Sequence, residues 1–178
     1  LRPGGRLVLN AALFTYFIPA AFLAVPMYKA MGLYGLLNNQ WALILAMVTI
    51  ASPYAIWVLK QASDKLPFEL DEAARIDGAS PLQLFRLVYL PLIAPSLVAV
   101  GAYAVLLAWN EYLYAFLLLS NDKDITLPVA LGHFLSADDS PWELLMTAGL
   151  LYSLPPAAMY YAFKRYMVSG LTAGAVKA

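Results

Sequence analysis

The sequence predicts an all-α fold, a polytopic transmembrane helix bundle. Three observations lead there. The chain of 178 residues is 62% hydrophobic and only 12% charged, with a mean hydropathy of +0.70, whereas a soluble domain carries about 25% charged residues. Its apolar residues gather into segments long enough to cross a bilayer. Its Lys and Arg fall largely on one side of those segments. Together these place the chain among membrane proteins before any motif is considered.

Crossing about 30 Å of hydrocarbon takes about 20 helical residues. Four segments meet that length, at residues 7–31, 41–59, 94–119 and 142–163. They are too long and too evenly apolar for barrel strands, so helices are expected. Arg2, Arg6, Lys60, Lys65, Arg75, Arg86, Lys164, Arg165 and Lys177 lie on one side of the four spans, against Lys29 and Lys123 on the other. The side richer in cations is predicted to be cytoplasmic. Both termini and the polar segment 63–91 then face the cytoplasm, while the turn 32–40 and the acidic loop 120–141 face outward. The expected location is a cell membrane, inner or plasma, crossed several times. The chain begins at Leu1 rather than Met and has no charged region followed by a cleavage site, which reads as a truncated N-terminus.

Several functions are unsupported by the composition. Cysteine is absent, so disulfides, thiolate metal sites and a Cys nucleophile are excluded. No Gly-rich loop ends in Gly-Lys-Ser/Thr, so no P-loop nucleotide site is expected. The formal net charge of zero gives no sign of nucleic-acid binding. No nucleophile, base and orienting group stand together, so no catalytic residue, cofactor or metal is assigned.

Helix punctuation locates the polar segment's structure. Ser80-Pro81-Leu82-Gln83 has an N-cap, a proline at the first helical position and a capping-box glutamine. Ser140-Pro141-Trp142-Glu143 repeats the pattern before the fourth span. Gly78 sits where a short helix over 68–77 needs a residue in the left-handed region. On that helix Ala73 and Ala74 lie beside Leu70 and Ile76, with Glu69, Asp71, Glu72, Arg75 and Asp77 around them. The small residues permit close approach by a partner; an ordinary solvated loop is the alternative. Pro19, Pro26, Pro53, Pro155 and Pro156 lie in or near spans, where they kink helices, whether for a moving wall or a static bundle.

Two further places hold polar groups. Asn110-Glu111-Tyr112 falls inside the third apolar segment, where a central carboxylate costs roughly 3 kcal/mol to insert. It should face the bundle interior or a watery cavity. Carboxylate, amide and aromatic groups together suit a sugar path; a polar clamp between helices is the alternative. In the outer loop, Asp138, Asp139 and Trp142 are candidates for a protein contact or simply a solvated turn. One histidine, His133, and scattered acids have no metal-site spacing.

The string EAARIDGASPLQLFRLVYLPLIAPSL closely resembles the EAA motif of ABC importer permeases. Glu72, Ala73, Ala74, Gly78, Leu90 and Pro91 stand at the motif's spacing, and Val88 replaces its isoleucine. The ending from Val168 to Lys177 is similar to the tail of maltose-type carbohydrate permeases. The resemblance implies a type I ABC importer permease core, with four of the usual six spans present. It implies partners too: ABC ATPase subunits, a second permease subunit, an extracytoplasmic solute-binding protein, surrounding membrane lipid and a small sugar substrate. By the same resemblance Glu72, Ala73, Ala74, Asp77 and Gly78 would couple to the ATPase. Asn110, Glu111 and Tyr112 would line the substrate path, and Asp138, Asp139 and Trp142 would meet the binding protein. ATP hydrolysis would belong to a separate subunit. Permeases for amino acids or peptides, and a fragment of a secondary transporter, are the alternatives.

Overall fold

The computed structural model describes residues 3–121, 123–135 and 141–172. Among these every regular element is helical. They are α1 (Pro3–Tyr16), α2 (Ala20–Leu33), α3 (Gln40–Asp64), α4 (Glu69–Ile76), α5 (Pro81–Gln83), α6 (Leu90–Trp109), α7 (Leu113–Leu118), α8 (Leu127–Leu135) and α9 (Trp142–Thr172). A π-helical turn, Leu84–Tyr89, joins α5 to α6.

Among the described residues, two helical stretches are long and apolar enough to span a membrane, Gln40–Asp64 and Pro81–Trp109; the bent pair Leu9–Tyr16 and Ala20–Leu33 would add a third. The bend in that pair, 106°, falls inside the first expected span. Pro19 explains it, since it has no N–H and biases Ile18 away from helical geometry. The expected second span lies in α3, which continues through Pro53; Thr49 and Ser52 hydroxyls bond back to the Leu45 and Val48 carbonyls. The expected third span, 94–119, is divided between α6 and α7 by a break at Asn110–Tyr112. The expected fourth lies in α9, which has the length at 31 residues but is diluted by tyrosines, Pro155 and Pro156.

The core sits where α2, α3 and α7 meet. Ala24, Met31, Ala42, Ala46, Met47, Tyr114 and Leu118 form one buried cluster. Ala42 and Ala46 are one turn apart on α3 and wholly buried, so the neighbouring helices approach its backbone closely. Tyr114 is 1% exposed and its hydroxyl donates to the Ala20 carbonyl at 2.7 Å, tying α7 to the start of α2. Asn38, in the left-handed region at φ 57°, links the α2–α3 turn to the end of α7. Its N–H donates to Leu118 O at 2.9 Å and its side-chain oxygen accepts from Ser120 N–H at 2.7 Å.

Outside this cluster the helices pack in a chain, α1 on α3, α3 on α6 and α6 on α9. Tyr54 of α3 and Tyr103 of α6 meet with ring centroids 4.3 Å apart. The most apolar stretch of Pro81–Trp109 is only 6% buried within the chain. Phe14, Phe17, Phe22, Leu150 and Tyr161 are likewise exposed. So large an uncovered apolar surface needs lipid or other chains around it.

Tyr114 provides a test of the core. Tyr114→Phe keeps the ring and loses one hydrogen bond, and should lower stability by about 1 kcal/mol. Tyr114→Ala should cost about 3–5 kcal/mol through the cavity it leaves. Thermal unfolding of the detergent-solubilised protein compares the two, and equal losses would contradict this packing.

Candidate functional site

The polar hairpin forms first from local chemistry. Glu69, Asp71 and Glu72 occupy the first turn of α4 and Arg75 its last, complementing the helix dipole. The helix closes in a Schellman motif: Ala79 N–H donates to Ala74 O at 2.9 Å and Gly78 N–H to Arg75 O at 3.1 Å. That closure requires a left-handed residue, and Gly78 supplies it at φ 76°. Two residues later Ser80 begins the next helix with both bonds of a capping box. Gln83 N–H donates to Ser80 Oγ at 3.4 Å, and Ser80 N–H donates to Gln83 Oε1 at 2.8 Å.

The hairpin is also fastened to the long helix above it. The Tyr89 hydroxyl donates to Asp71 Oδ1 at 2.5 Å, joining α4 to the π-helical turn. That turn has a local cause. Pro91 has no N–H and its ring presses on the carbonyl one turn earlier, so the preceding backbone opens to wider bonds, Leu90 N–H pairing with Phe85 O. Glu72, Ala73, Asp77 and Gly78 are exposed and Ala74 half-buried. Beside them Ile76 is 85% and Phe68 69% exposed. The hairpin therefore presents apolar side chains, small residues and a rim of charge on a backbone held at both ends.

The second polar place is the break between α6 and α7. Asn110 ends α6, and its Nδ2 donates back to Leu106 O at 2.8 Å. Glu111 is half-buried, and its Oε1 accepts from Tyr114 N–H at 2.7 Å, capping the start of α7. Tyr112 stacks on Phe116 with centroids 5.7 Å apart. Tyr152 of α9 holds the break from the side: its hydroxyl donates to Trp109 O at 2.7 Å, with Asn110 Oδ1 at 3.3 Å, and its ring stacks on Trp109. Among the described residues, Trp109 Nε1 and Thr126 Oγ1 are buried without a hydrogen-bond partner. Asn110, Glu111 and Tyr112 thus stand together, with the amide nitrogen of Asn110 and one Glu111 oxygen engaged by backbone.

The outer segment is only partly described. Asp138, Asp139 and the Ser140 cap lie outside the described residues, as does the chain from Ala173 onward. Trp142 opens α9 and is 62% exposed. The segment expected as a loop contains a helix, α8, whose His133 is exposed and meets Phe116 edge-on. No group of His, Cys, Asp and Glu among the described residues could hold a metal ion. Asp71–Tyr89 and Tyr152 were not anticipated, because their partners lie 18 and more than 40 residues away and no local pattern marks them.

Comparison with known proteins bears on the family of the chain as a whole. The family model described as binding-protein-dependent transport system inner membrane component matches residues 2–172. The chain is similar to the inner membrane ABC transporter permease protein YcjP of Escherichia coli (strain K12), 39% identical across 99% of this chain and 64% of the relative. It is also similar to the trehalose transport system permease protein SugB of Mycobacterium tuberculosis, 36% identical across 98% of this chain and 65% of the relative. The trehalose/maltose transport system permease protein MalG of Thermococcus litoralis is 35% identical across 85% of this chain and 55% of the relative. The chain spans just under two thirds of the length of the first two and little over half of the third.

The Tyr152 contact is testable directly. Tyr152→Phe keeps the stack on Trp109 and removes the bond to its carbonyl. Amide exchange at residues 110–114 should then rise about fivefold, matching about 1 kcal/mol of lost restraint. Unchanged exchange there would show that the break does not depend on Tyr152.

Proposed function

We propose a function from a plain premise: the chain belongs to the family of binding-protein-dependent transport system inner membrane components, whose model matches residues 2–172. In this reading it is the permease subunit of an ATP-driven importer of small sugars, forming half of the translocation path. A second permease subunit, or a second copy, supplies the other half. ATPase subunits dock on the cytoplasmic side, and an extracytoplasmic solute-binding protein delivers the substrate. The sugar class is supported by the names of relatives, which include trehalose, trehalose/maltose and lactose transport permeases.

One observation carries the coupling role, the rigidity of the hairpin. Schellman closure at Gly78, the capping box at Ser80 and the Asp71–Tyr89 bond leave α4 little freedom relative to the foot of α6. A push on Glu72, Ala73, Ala74, Asp77 and Gly78 is therefore delivered to α6 rather than lost in a floppy loop. Closure of the ATPases on ATP supplies the push, because ATP binds their closed state better. The packed helices then swing the path from inward-facing to outward-facing. The positive-inside distribution supports a cytoplasmic α4 and cytoplasmic termini.

Asn110, Glu111 and Tyr112 are assigned to the path, where the α6–α7 break puts polar groups inside an apolar segment. Glu111 has two duties in this assignment, a cap for α7 and a polar wall for the sugar. Asp138, Asp139 and Trp142 are assigned to the face that meets the binding protein.

The decisive experiment reconstitutes the chain with its partner subunits in vesicles with all ion gradients collapsed. ATP-driven uptake of radiolabelled trehalose, maltose or lactose is expected; uptake that follows an ion gradient instead would sink the proposal. Gly78→Val should cut uptake per ATP hydrolysed about tenfold, because a left-handed turn costs a β-branched residue roughly 1–2 kcal/mol. Gly78→Asn, which tolerates that geometry, should retain most coupling. A Cβ at Gly78 meets nothing within 4 Å, so a loss reports backbone strain rather than a clash. Glu111→Ala should lower uptake several-fold while the assembled complex persists; a failure to assemble would make Glu111 a structural cap alone.

A further inference from the structure

We propose that Gly132 is a positioning residue for transport: it admits the ring of Tyr112 and, through that ring, fixes the α6–α7 break against the outer helix α8. The inference rests on the permease reading above and adds a residue that reading does not use. A Cβ built on Gly132 would lie 2.7 Å from Tyr112 Cε2, 3.1 Å from its hydroxyl oxygen and 3.3 Å from Cζ. The backbone of α8 is thus flush with the edge of the ring.

Gly132 lies within α8 and is not among the glycines with positive φ, so its backbone geometry does not call for glycine. Alanine is the better helix former at such a position. An alanine here would have to push the outer edge of the Tyr112 ring aside. Tyr112 is the last residue of the break, directly before α7, at φ −111° and ψ −49°, so its ring is carried on the break.

The neighbouring contact points the same way. Tyr112 stacks on Phe116 at an interplanar angle of 9°, and Phe116 meets His133 edge-on at 6.4 Å. Two consecutive residues of α8 therefore bear on two rings one turn apart. α8 also packs on α9, so the ring lies where the outer segment meets the start of α7. Gly132 sets how close that contact is.

The test uses the assembled importer in vesicles, with radiolabelled trehalose, maltose and lactose as probes. Gly132→Ala should lower ATP-driven uptake per assembled complex roughly tenfold. Tyr112→Leu removes the ring, and in that background Gly132→Ala should cause no further loss. Wild-type uptake in the single variant would overturn the proposal. So would an equal loss in both backgrounds, or a loss confined to the yield of complex. Absence of ATP-driven uptake by the unmodified importer would instead defeat the permease reading, and this inference with it.

Discussion

Inside hydrocarbon no water is available to a broken helix, so every freed backbone group must find a partner within the protein. The structure is arranged around that constraint. Where α6 stops, the Asn110 amide covers a carbonyl of the last turn, and where α7 starts, the Glu111 carboxylate covers an amide. Tyr152 reaches in from α9 to the Trp109 carbonyl. Tyr114, from the first turn of α7, reaches the Ala20 carbonyl just past the Pro19 break. Polar side chains in the apolar region thus gather where helices are interrupted, and there they tie α7 to the start of α2 and α9 to the end of α6.

The two polar centres solve different mechanical problems. At the hairpin a glycine and a serine cap fix the turn locally, and Asp71–Tyr89 adds one tie to α6. The caps are short-range and the single longer tie stays within the hairpin and the foot of α6, so the unit holds its shape without help from other helices. At the break the caps are local but the lateral support comes from α8 and α9. Its shape depends on where those helices sit. In the proposed reading, the stiff unit takes the role of input and the shape-dependent one the role of path.

Legibility in the sequence followed the range of the interaction. The Gly78 turn, the Ser80 cap and the helix beginning near Pro81 rest on bonds between residues five or fewer apart, so spacing and residue type revealed them. The family resemblance was legible for the same reason, since its motif is contiguous. The break at Asn110 escaped notice because nothing in the sequence there is a helix breaker. Asn110 and Glu111 become caps only when tertiary contacts favour ending the helix. Tyr152, Tyr89 and Gly132 were equally silent, because each is meaningful only beside a distant ring, carbonyl or carboxylate. Pro19 was seen, yet a kink was expected and the structure has a bend of 106°.

The π-helical turn has a consequence for torque. Such a turn holds one residue more than the α-helix around it, and an extra residue can migrate along a helix, rotating the intervening part by about 100°. A shaft with a free slip of that kind would lose angular register under load. Here the wide turn lies between the Ser80 capping box and Pro91, whose ring would meet the carbonyl one turn earlier if the helix tightened there. The surplus residue therefore has a reason to stay at Leu84–Tyr89, and the hairpin keeps one rotational setting against α6.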